Sequence, residues 1–309
     1  MHQLIGNPQR RVFLLSAAVL LLSGCKPVEA TGPSSSALRP RTVAPVPATS
    51  AAAPIPLVSP EPEPAVPASG PEPTTRSQEQ IIAEFSGRSP SYWGLQAPNV
   101  LQVLPEPAAG IALTLDFCGG PGGNGTDHVA LKTLKHLGIP ATLFLNARWI
   151  HHNRALTREL AAEPLFELAN HGTRHAPLSV AGNSAYGIPG TQSSGQVYEE
   201  IMSNDNLLTE ITGKRPRFFR PGTAYLDDVA AEIALALGVV PTGFSINADA
   251  GATYPASVVA AETAKARPGD IIISHGNHPG SGTGAGLSAA IPALLDKGYV
   301  FTTLGTALP

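Results

Sequence analysis

Two histidines four residues apart, His171 and His175, carry the sharpest chemical signal in this sequence. Neutral imidazole nitrogens bind zinc and similar divalent ions well, and the two would share a face if their segment were one helical turn. Two nitrogen ligands need a third ligand and an open coordination position before they support hydrolysis. Because two surface histidines give the same pattern, a metal site is predicted only together with further residues.

Other reactive side chains stand at or directly after the ends of segments that are predicted to be strands: Asp116, Cys118, Arg220, Asp249 and His275. None of them lies in the middle of a predicted helix. In parallel α/β folds the catalytic groups lie at the carboxyl ends of the strands and in the loops that follow. The shared position predicts that these side chains meet at one end of a sheet.

The elements that would position these residues alternate along residues 76–309, which are predicted to form one domain. The predicted strands are 111–116, 141–146, 168–170, 218–220, 239–245, 270–274 and 299–303. The predicted helices are 126–137, a segment through the 150s, 196–212, 227–237, 258–266 and 287–295. This alternation is typical of parallel strands with helices packed outside them. It favours a barrel-like α/β fold, with a doubly wound open sheet as the alternative.

Four short motifs follow one another in the chain: Thr114-Leu115-Asp116, His171-x-x-x-His175, Arg220-Pro221 and Ile271-x-Ile273-x-His275. Together they resemble the motifs of the polysaccharide deacetylase family, also called the NodB-homology carbohydrate esterases. The resemblance covers residues 109–305. It implies a distorted (β/α)7-type barrel and a hydrolase that removes N-acetyl groups from amino sugars by cleaving an amide C–N bond.

The resemblance also implies a role for each matched residue. Asp116 corresponds to the catalytic base, which takes a proton from the attacking water, and Arg220 to the arginine that holds this base. His171 and His175 correspond to a pair that binds a divalent metal ion, for which zinc is predicted. His275 corresponds to the general acid that protonates the departing amine. Amide hydrolysis needs an activated water, a Lewis acid and a proton for nitrogen.

The sequence departs from the family where a second aspartate would bind the metal, because Phe117 occupies that position. Either Asp116 would then be a metal ligand itself, or Cys118 would supply a thiolate. Residues 116 and 118 of a strand point to one side and residue 117 to the other, so the thiolate is geometrically possible. A small buried core residue explains Cys118 as well, and the sequence favours this interpretation.

The family's last aspartate motif is weak in this chain. Asn247 and Asp249 are the two candidates after the predicted strand 239–245. Asp249 is predicted either to orient His275 or to be a solvated loop residue. Together with Phe117, the weak motif leaves a catalytically inactive glycan-binding lipoprotein as an alternative to an enzyme.

Residues 1–24 are predicted to be a signal peptide, because Arg10 and Arg11 precede an apolar run too short to span a bilayer. The ending Leu22-Ser23-Gly24-Cys25 resembles the bacterial lipobox, which implies lipidation of Cys25 and a membrane anchor. Lys26, rather than an aspartate, follows the cysteine, and in a Gram-negative host this resembles the signal for sorting to the outer membrane, facing the periplasm. The paired arginines fit general and twin-arginine export equally well.

Residues 25–75 are predicted to be a lipidated cysteine followed by a disordered linker. Thirteen of the fifty residues 26–75 are proline. Such a stretch pairs few backbone groups and has little bulky apolar surface to bury. Its composition predicts an extended spacer that reaches up to about 150 Å.

The charge of the chain limits its partners. Without residues 1–24 the net charge of −3 becomes −5, because that segment contains two arginines and no acidic residue. This charge argues against nucleic acid as a partner. The predicted substrate is an N-acetylated envelope glycan such as peptidoglycan or poly-N-acetylglucosamine, with a small amide as the alternative. The oligomeric state is not predicted.

Overall fold

The computed structural model of the protein describes residues 76–308. The predicted signal peptide, the predicted lipidation site at Cys25 and the predicted linker up to residue 75 lie outside these described residues. Within 76–308, no helix combines the length and the apolar composition needed to cross a lipid bilayer.

Helices and short strands alternate through this part of the chain. The helices are α1 Gln78–Phe85, α2 His128–Leu137, α3 Ala147–His152, α4 Arg154–Ala162, α5 Ser194–Thr212, α6 Asp228–Ala236, α7 Ala256–Thr263, α8 Thr283–Asp296 and α9 Leu304–Ala307. The strands are β1 Trp93–Gly94, β2 Ile111–Phe117, β3 Ala141–Leu145, β4 Phe166–Asn170, β5 Phe218–Phe219, β6 Leu226–Asp227, β7 Val240–Pro241, β8 Ile246–Asn247, β9 Ile271–His275 and β10 Phe301–Thr302.

Most of the strands form one parallel sheet that curls into a half barrel. The strand order is β7-β5-β4-β3-β2-β9-β8, and β10 pairs with the start of β2. β1 and β6 form a separate antiparallel pair. In the central register Asp116 stands beside Phe144 of β3 and His275 of β9. The predicted distorted barrel is confirmed, in preference to the doubly wound open sheet.

Strand β2 shows how the sheet separates the core from the site. Successive side chains of a strand point to opposite faces. The odd-numbered residues of Ile111–Phe117 join a buried cluster with Leu134 of α2 and Leu287 of α8. The even-numbered residues Thr114 and Asp116 point to the other face, where both contact a buried arginine. The strand is buried along its whole length, as expected when both faces of a sheet are covered.

Residues 76–107 pack against the barrel. Ile81 and Phe85 of α1 are buried in a cluster that also contains residues of α5 and α6. Farther along, the backbone N–H groups of Leu101 and Leu104 donate hydrogen bonds to carbonyls beside β7 and β9. The sequence alone does not distinguish such a cover from a continuation of the linker.

The predicted strand 239–245 differs most from the structure, which contains two short strands, β7 and β8, in its place. Pro241 has no N–H to donate to a neighbouring strand. At Gly243 the chain lies so close to Gln102 that a Cβ would be 2.5 Å from its side chain. The interruption follows from these two residues and from the segment that packs against them.

Candidate active site

The ends of β2, β4 and β9 open into one cavity of about 480 Å³. Five of the predicted site residues line it: Asp116, Cys118, His171, His175 and His275. The two others, Arg220 and Asp249, are fully buried and bond to Asp116 and His275. The structure thus brings all seven predicted residues together.

Cys118, His171 and His175 form a compact group of potential metal ligands, whose donor atoms lie within 4.8 Å of one another. The Sγ of Cys118 is 3.6 Å from Nε2 of His171. The two imidazole rings meet edge to face, with their centroids 4.9 Å apart. Because Cys118 is half-buried and lines the cavity, it is not the core residue that the sequence favours.

The histidine pair does not lie on a helical turn, which corrects the geometry assumed from the spacing. Gly172 and His175 both have left-handed backbone conformations, with φ values of 79° and 64°. A left-handed conformation is uncommon for a residue other than glycine. A tight loop after β4, rather than helical periodicity, brings the two rings together.

This histidine loop is held by Glu200 of α5, a residue that the sequence did not point to. Its buried carboxylate accepts hydrogen bonds from the backbone N–H groups of Thr173, Arg174 and Ala176, at 3.0 to 3.1 Å. A Cβ at Gly172 would lie 2.6 Å from the same carboxylate, so the loop needs glycine there. The available signal was a charged residue on the apolar side of a predicted helix, where a carboxylate needs partners.

Buried asparagines fix the start of the loop. The Nδ2 of Asn146 donates to the carbonyls of His171 and Gly172, both at 2.8 Å. The Oδ1 of Asn170 accepts from the N–H of Gly172 and from Nδ2 of Asn204, again at 2.8 Å. These amides pair backbone groups that would otherwise be buried without partners.

The orientation of His171 leaves one nitrogen for a ligand. Its Nδ1 lies 2.8 Å from the backbone carbonyl of Arg220. A carbonyl only accepts, so Nδ1 carries the hydrogen and Nε2 presents its lone pair. Nε2 lies 3.6 Å from Cys118 Sγ and 3.7 Å from Asp116 Oδ2. Metal-binding histidines are commonly oriented by such a second hydrogen bond.

Asp116 and Arg220 form a buried ion pair, with 2.7 Å between Oδ1 and Nη1. The remaining guanidinium hydrogens donate to Thr114 Oγ1 and to backbone carbonyls, including that of Gly243, and the guanidinium stacks 4.2 Å above the ring of Phe144. A buried charge is tolerated when it is paired and fully hydrogen-bonded. Arg220 therefore fixes Oδ1 of the carboxylate and leaves Oδ2 on the ligand side.

His275 and Asp249 form the second oriented pair. Asp249 Oδ1 lies 2.8 Å from His275 Nδ1, while Oδ2 accepts from the backbone N–H of His275 and from Thr283 Oγ1. Asp249 is fully buried, so the solvated-loop interpretation is wrong. Burial alone lowers the pKa of His275, but the charge of Asp249 outweighs it and raises this pKa well above its ordinary value.

Phe117 takes no part in the cavity. Its ring packs against Trp149 in the core, with the centroids 4.7 Å apart. Gly276, which follows β9, lies so close that a Cβ there would be 2.2 Å from the Phe117 ring. The alternation predicted for residues 116 to 118 therefore holds, and the cavity side of this strand end carries Asp116 and Cys118.

The cluster of Cys118, His171 and His175, with Asp116 beside it, has an electrostatic environment that favours a bound cation. Burial raises the pKa of the Cys118 thiol, but the charge of His175 and hydrogen bonds with the neighbouring imidazoles lower it well below its ordinary value. Burial lowers the pKa of His171, but the charge of Asp116 and the hydrogen bond with Cys118 raise it above the ordinary value. A readily ionised thiol and a carboxylate thus face two imidazoles. This donor set fits a divalent cation, which would replace the protons held there.

Residues 105–242 match the family model of the polysaccharide deacetylases. This part of the chain is therefore similar to the polysaccharide deacetylases. The match confirms the resemblance predicted from the motifs and, with it, the class of hydrolases that act on amide C–N bonds. The matched residues include Asp116, the histidine loop and Arg220, whereas Asp249 and His275 lie beyond them.

Solved family 4 carbohydrate esterases share the fold of residues 76–308. A pseudoenzyme of that family from Bacillus anthracis is 19% identical with a TM-score of 0.58, covering 69% of this chain and 70% of its own. The Bc1960 peptidoglycan N-acetylglucosamine deacetylase is 22% identical with a TM-score of 0.57, covering 68% and 92%. An acetyl xylan esterase from Clostridium thermocellum, in complex with a cobalt ion, is 23% identical with a TM-score of 0.52, covering 64% and 89%. No curated protein sequence matches the chain.

Proposed function

We propose that this chain is a metal-dependent N-deacetylase of an N-acetylated cell-envelope glycan, of the peptidoglycan or poly-N-acetylglucosamine type. The observation that carries the proposal is that two oriented pairs, Asp116 with Arg220 and His275 with Asp249, meet beside one sulfur and two imidazole donors. Amide hydrolysis needs a base, an acid and a Lewis acid. Candidates for all three contribute to the lining of one cavity.

Cys118, His171 and His175 would hold the divalent ion. Three protein ligands would leave one position of a tetrahedral ion open, and catalytic zinc centres commonly have three protein ligands and one open position. Thiolate sulfur favours zinc over magnesium or calcium. A bound ion supplies Lewis-acid catalysis for the hydrolysis of the amide. Cys118 then fills the role that Phe117 cannot, and Asp116 is left for proton transfer.

Asp116 acts as the base. Arg220 holds Oδ1 at 2.7 Å, so that Oδ2 remains available on the ligand side. Oδ2 accepts a proton from water while the water oxygen forms a bond to the carbonyl carbon of the N-acetyl group. The rigid pairing with Arg220 keeps the carboxylate in one orientation, which lowers the cost of reorganising the site during the reaction.

His275 acts as the acid. Asp249 binds its Nδ1–H, so the opposite nitrogen is the one that donates a proton. This proton goes to the amide nitrogen as the C–N bond breaks, and the products are acetate and the free amine of the sugar. The raised pKa of His275 keeps the imidazolium available at neutral pH.

The inactive glycan-binding alternative is less well supported by the geometry. This alternative was suggested by Phe117 and by the weak aspartate motif. One structural neighbour is itself a pseudoenzyme. Phe117 packs in the core, however, and Cys118 faces the cavity beside the two histidines. Asp249 bonds directly to His275. The small-amide alternative uses the same residues and differs in the substrate alone.

The proposal includes attachment to the cell envelope, at the outer membrane facing the periplasm. It is supported by the lipobox-like sequence that ends at Cys25 and by the proline-rich stretch that follows it. The Cys25→Ala variant is expected to leave the membrane fraction. Its retention in that fraction after cell lysis would contradict the anchor.

Acetate release by the full chain from N-acetylglucosamine oligomers and from peptidoglycan tests the activity, with bound metal quantified in parallel. The wild type is expected to release acetate, and the His171→Ala/His175→Ala variant is expected to lose both metal and activity. Cleavage of small amides without acetate release from any glycan would favour the small-amide alternative. Glycan binding without release, in the metal-loaded protein, would establish the inactive alternative.

Cys118→Ser tests the ligand directly. We expect its zinc affinity to fall by at least about 100-fold, because removing a ligand costs no less than disturbing its supporting contacts. In the cobalt-loaded wild type a thiolate-to-cobalt absorption band is expected, and the variant should lack it. Asn247→Ala, at the rim of the same cavity, is the control and should keep the metal and the band. Unchanged metal content in Cys118→Ser would remove Cys118 from the ligand set.

A further inference from the structure

A tight turn presents Tyr186 at the cavity. Ala185 and Ile188 exchange two backbone hydrogen bonds, of 3.1 and 2.8 Å, around the two residues between them. Those residues, Tyr186 and Gly187, have φ values of 51° and 74°. Positive φ at both central positions defines a type I′ turn, in which asparagine, aspartate or glycine is the usual first residue. A tyrosine at this position strains the backbone, and strained residues of this kind are often found at functional sites.

The Tyr186 side chain is exposed but held in place. Its relative exposure is 74%, the highest among the large apolar and aromatic residues that are exposed in the described part of the chain. Its ring lies edge-on to Tyr225, with centroids 5.4 Å apart, and Tyr225 in turn contacts Trp93 at 5.7 Å. Three aromatic rings therefore form a chain that ends in an exposed face. Supported aromatic rings offer a large contact area at a small entropic cost.

This aromatic chain borders the catalytic cavity. Tyr186 and Ile188 line the same cavity as His175 and His275. Leu95, which follows β1, and Phe244 add further apolar surface to its lining. A few polar groups within an apolar and aromatic lining are typical of a small-molecule or sugar site. A pyranose ring suits such a wall, because its C–H face is apolar while its hydroxyl groups remain in water.

We propose that Tyr186 is a glycan-binding residue, which stacks on a pyranose ring adjoining the sugar whose amide is cleaved. The proposal rests on the proposed deacetylase function for the identity of the reacting sugar. It assigns to this chain a preference for oligosaccharides over single N-acetylated sugars, because a monosaccharide placed at the catalytic residues leaves the ring of Tyr186 uncovered. The strained conformation of Tyr186 would then be offset by its function, because the turn places the tyrosine ring at the cavity.

Three substitutions separate the ring from the turn. Tyr186→Asn suits the first position of a type I′ turn and removes the ring, so we expect a protein that is at least as stable as the wild type. Its affinity for N-acetylglucosamine oligomers should fall about tenfold or more, the loss of one stacked contact of about 1.4 kcal/mol. Tyr186→Phe should keep wild-type affinity. Tyr254→Ala, which removes an exposed tyrosine that does not line the cavity, is the matched control.

Binding is measured by calorimetry on the full chain carrying His275→Ala, and acetate-release kinetics are measured with His275 intact. A weaker affinity and a raised KM for oligomers in Tyr186→Asn, with a lowered ratio of oligomer to monosaccharide activity, support the proposal, and Tyr254→Ala should leave these values unchanged. Unaltered oligomer binding in Tyr186→Asn overturns it, whether or not the wild type releases acetate. Oligomer binding that depends on Tyr186 but gives no acetate release leaves the proposal standing and refutes the deacetylase function. Absence of oligomer binding in the His275→Ala chain overturns the proposal for Tyr186, whereas acetate release with His275 intact decides the deacetylase function.

Discussion

Asp249 determines how firmly His275 holds its proton. The two are joined by a 2.8 Å hydrogen bond, and the carboxylate is fully buried. A charge buried beside an imidazolium acts through a medium of low dielectric, so its effect on the pKa is large. The acid in the proposed mechanism works only while protonated. The activity it supports is therefore present below the raised pKa of His275 and lost as the pH rises through it.

We predict that Asp249→Asn shifts the basic limb of the pH profile of kcat/KM to lower pH. Removing the carboxylate charge lowers the pKa of His275, so the imidazolium is lost at a lower pH. At neutral pH we expect kcat/KM to fall by up to about 100-fold, within the range of general acid catalysis. Asp296→Asn removes an exposed carboxylate at the end of α8 and should leave the profile unchanged. A basic limb that stays in place in Asp249→Asn would show that His275 is not the acid.

At the residue scale, the structure brings together the residues that the motifs singled out. Asp116 and His275 lie near the ends of β2 and β9 and Arg220 directly follows β5, and the parallel sheet brings those strand ends together. The environment of Cys118 was not predictable in the same way. Whether a cysteine after a strand faces a core or a cavity depends on the loop that meets it, and here that loop carries His171 and His175 from another part of the chain.

At the scale of elements, the histidine loop depends on a helix that contributes nothing to the cavity lining. Glu200 lies on α5, and its carboxylate accepts hydrogen bonds from three backbone N–H groups of the loop after β4. The loop contains two left-handed residues, Gly172 and His175, and at His175, which has a Cβ, this conformation costs free energy in the absence of compensating bonds. The buried carboxylate supplies those bonds, so α5 sets the position of His175.

We predict that Glu200→Ala lowers the free energy of unfolding by about 3 kcal/mol, because buried N–H groups left without acceptors cost about 1–3 kcal/mol each. Metal affinity should fall with it, since the loop that carries His175 loses its support. Glu200→Gln retains one oxygen acceptor and should lose less than half as much. Urea unfolding and metal titration measure both effects, with the exposed Glu199→Ala as the control. Equal stability of Glu200→Ala and the control would refute this role of α5.

The long, regular elements followed the sequence closely, and the short ones did not. α5, predicted at 196–212, spans Ser194–Thr212, and β9, predicted at 270–274, spans Ile271–His275. Local signals set the bounds of α5, because the side chain of Ser193 caps its first turn and Gly213 ends it in a left-handed conformation. The predicted strand 239–245 failed for one local and one tertiary reason: Pro241 has no N–H to donate to a neighbouring strand, and Gly243 contacts Gln102. No local pattern reports a contact between residues so distant in the sequence.

At the scale of the whole molecule, residues 76–107 belong with the barrel. Ile81 and Phe85 of α1 lie in one buried cluster with α5 and α6, and α5 is the helix that supports the histidine loop. The backbone of Leu101 bonds to the chain on either side of Thr242, whose carbonyl accepts from Arg220. The segment 76–107 is thus connected to the histidine loop through α5, and to Arg220 through the chain around Thr242.

We therefore predict that Phe85→Ala destabilises the whole domain, including the site. Truncating a buried phenylalanine costs about 3–5 kcal/mol, which lowers the Tm of a domain of this size by roughly 6–20 °C. Ile82→Ala, on the exposed side of the same helix, should change Tm by only a few degrees, about as expected for a surface residue. Thermal unfolding with and without bound metal measures both variants. If α1 were only a continuation of the linker, Phe85→Ala and the control Ile82→Ala would have the same Tm. In that case only the residues after Gly94 would stabilise the barrel.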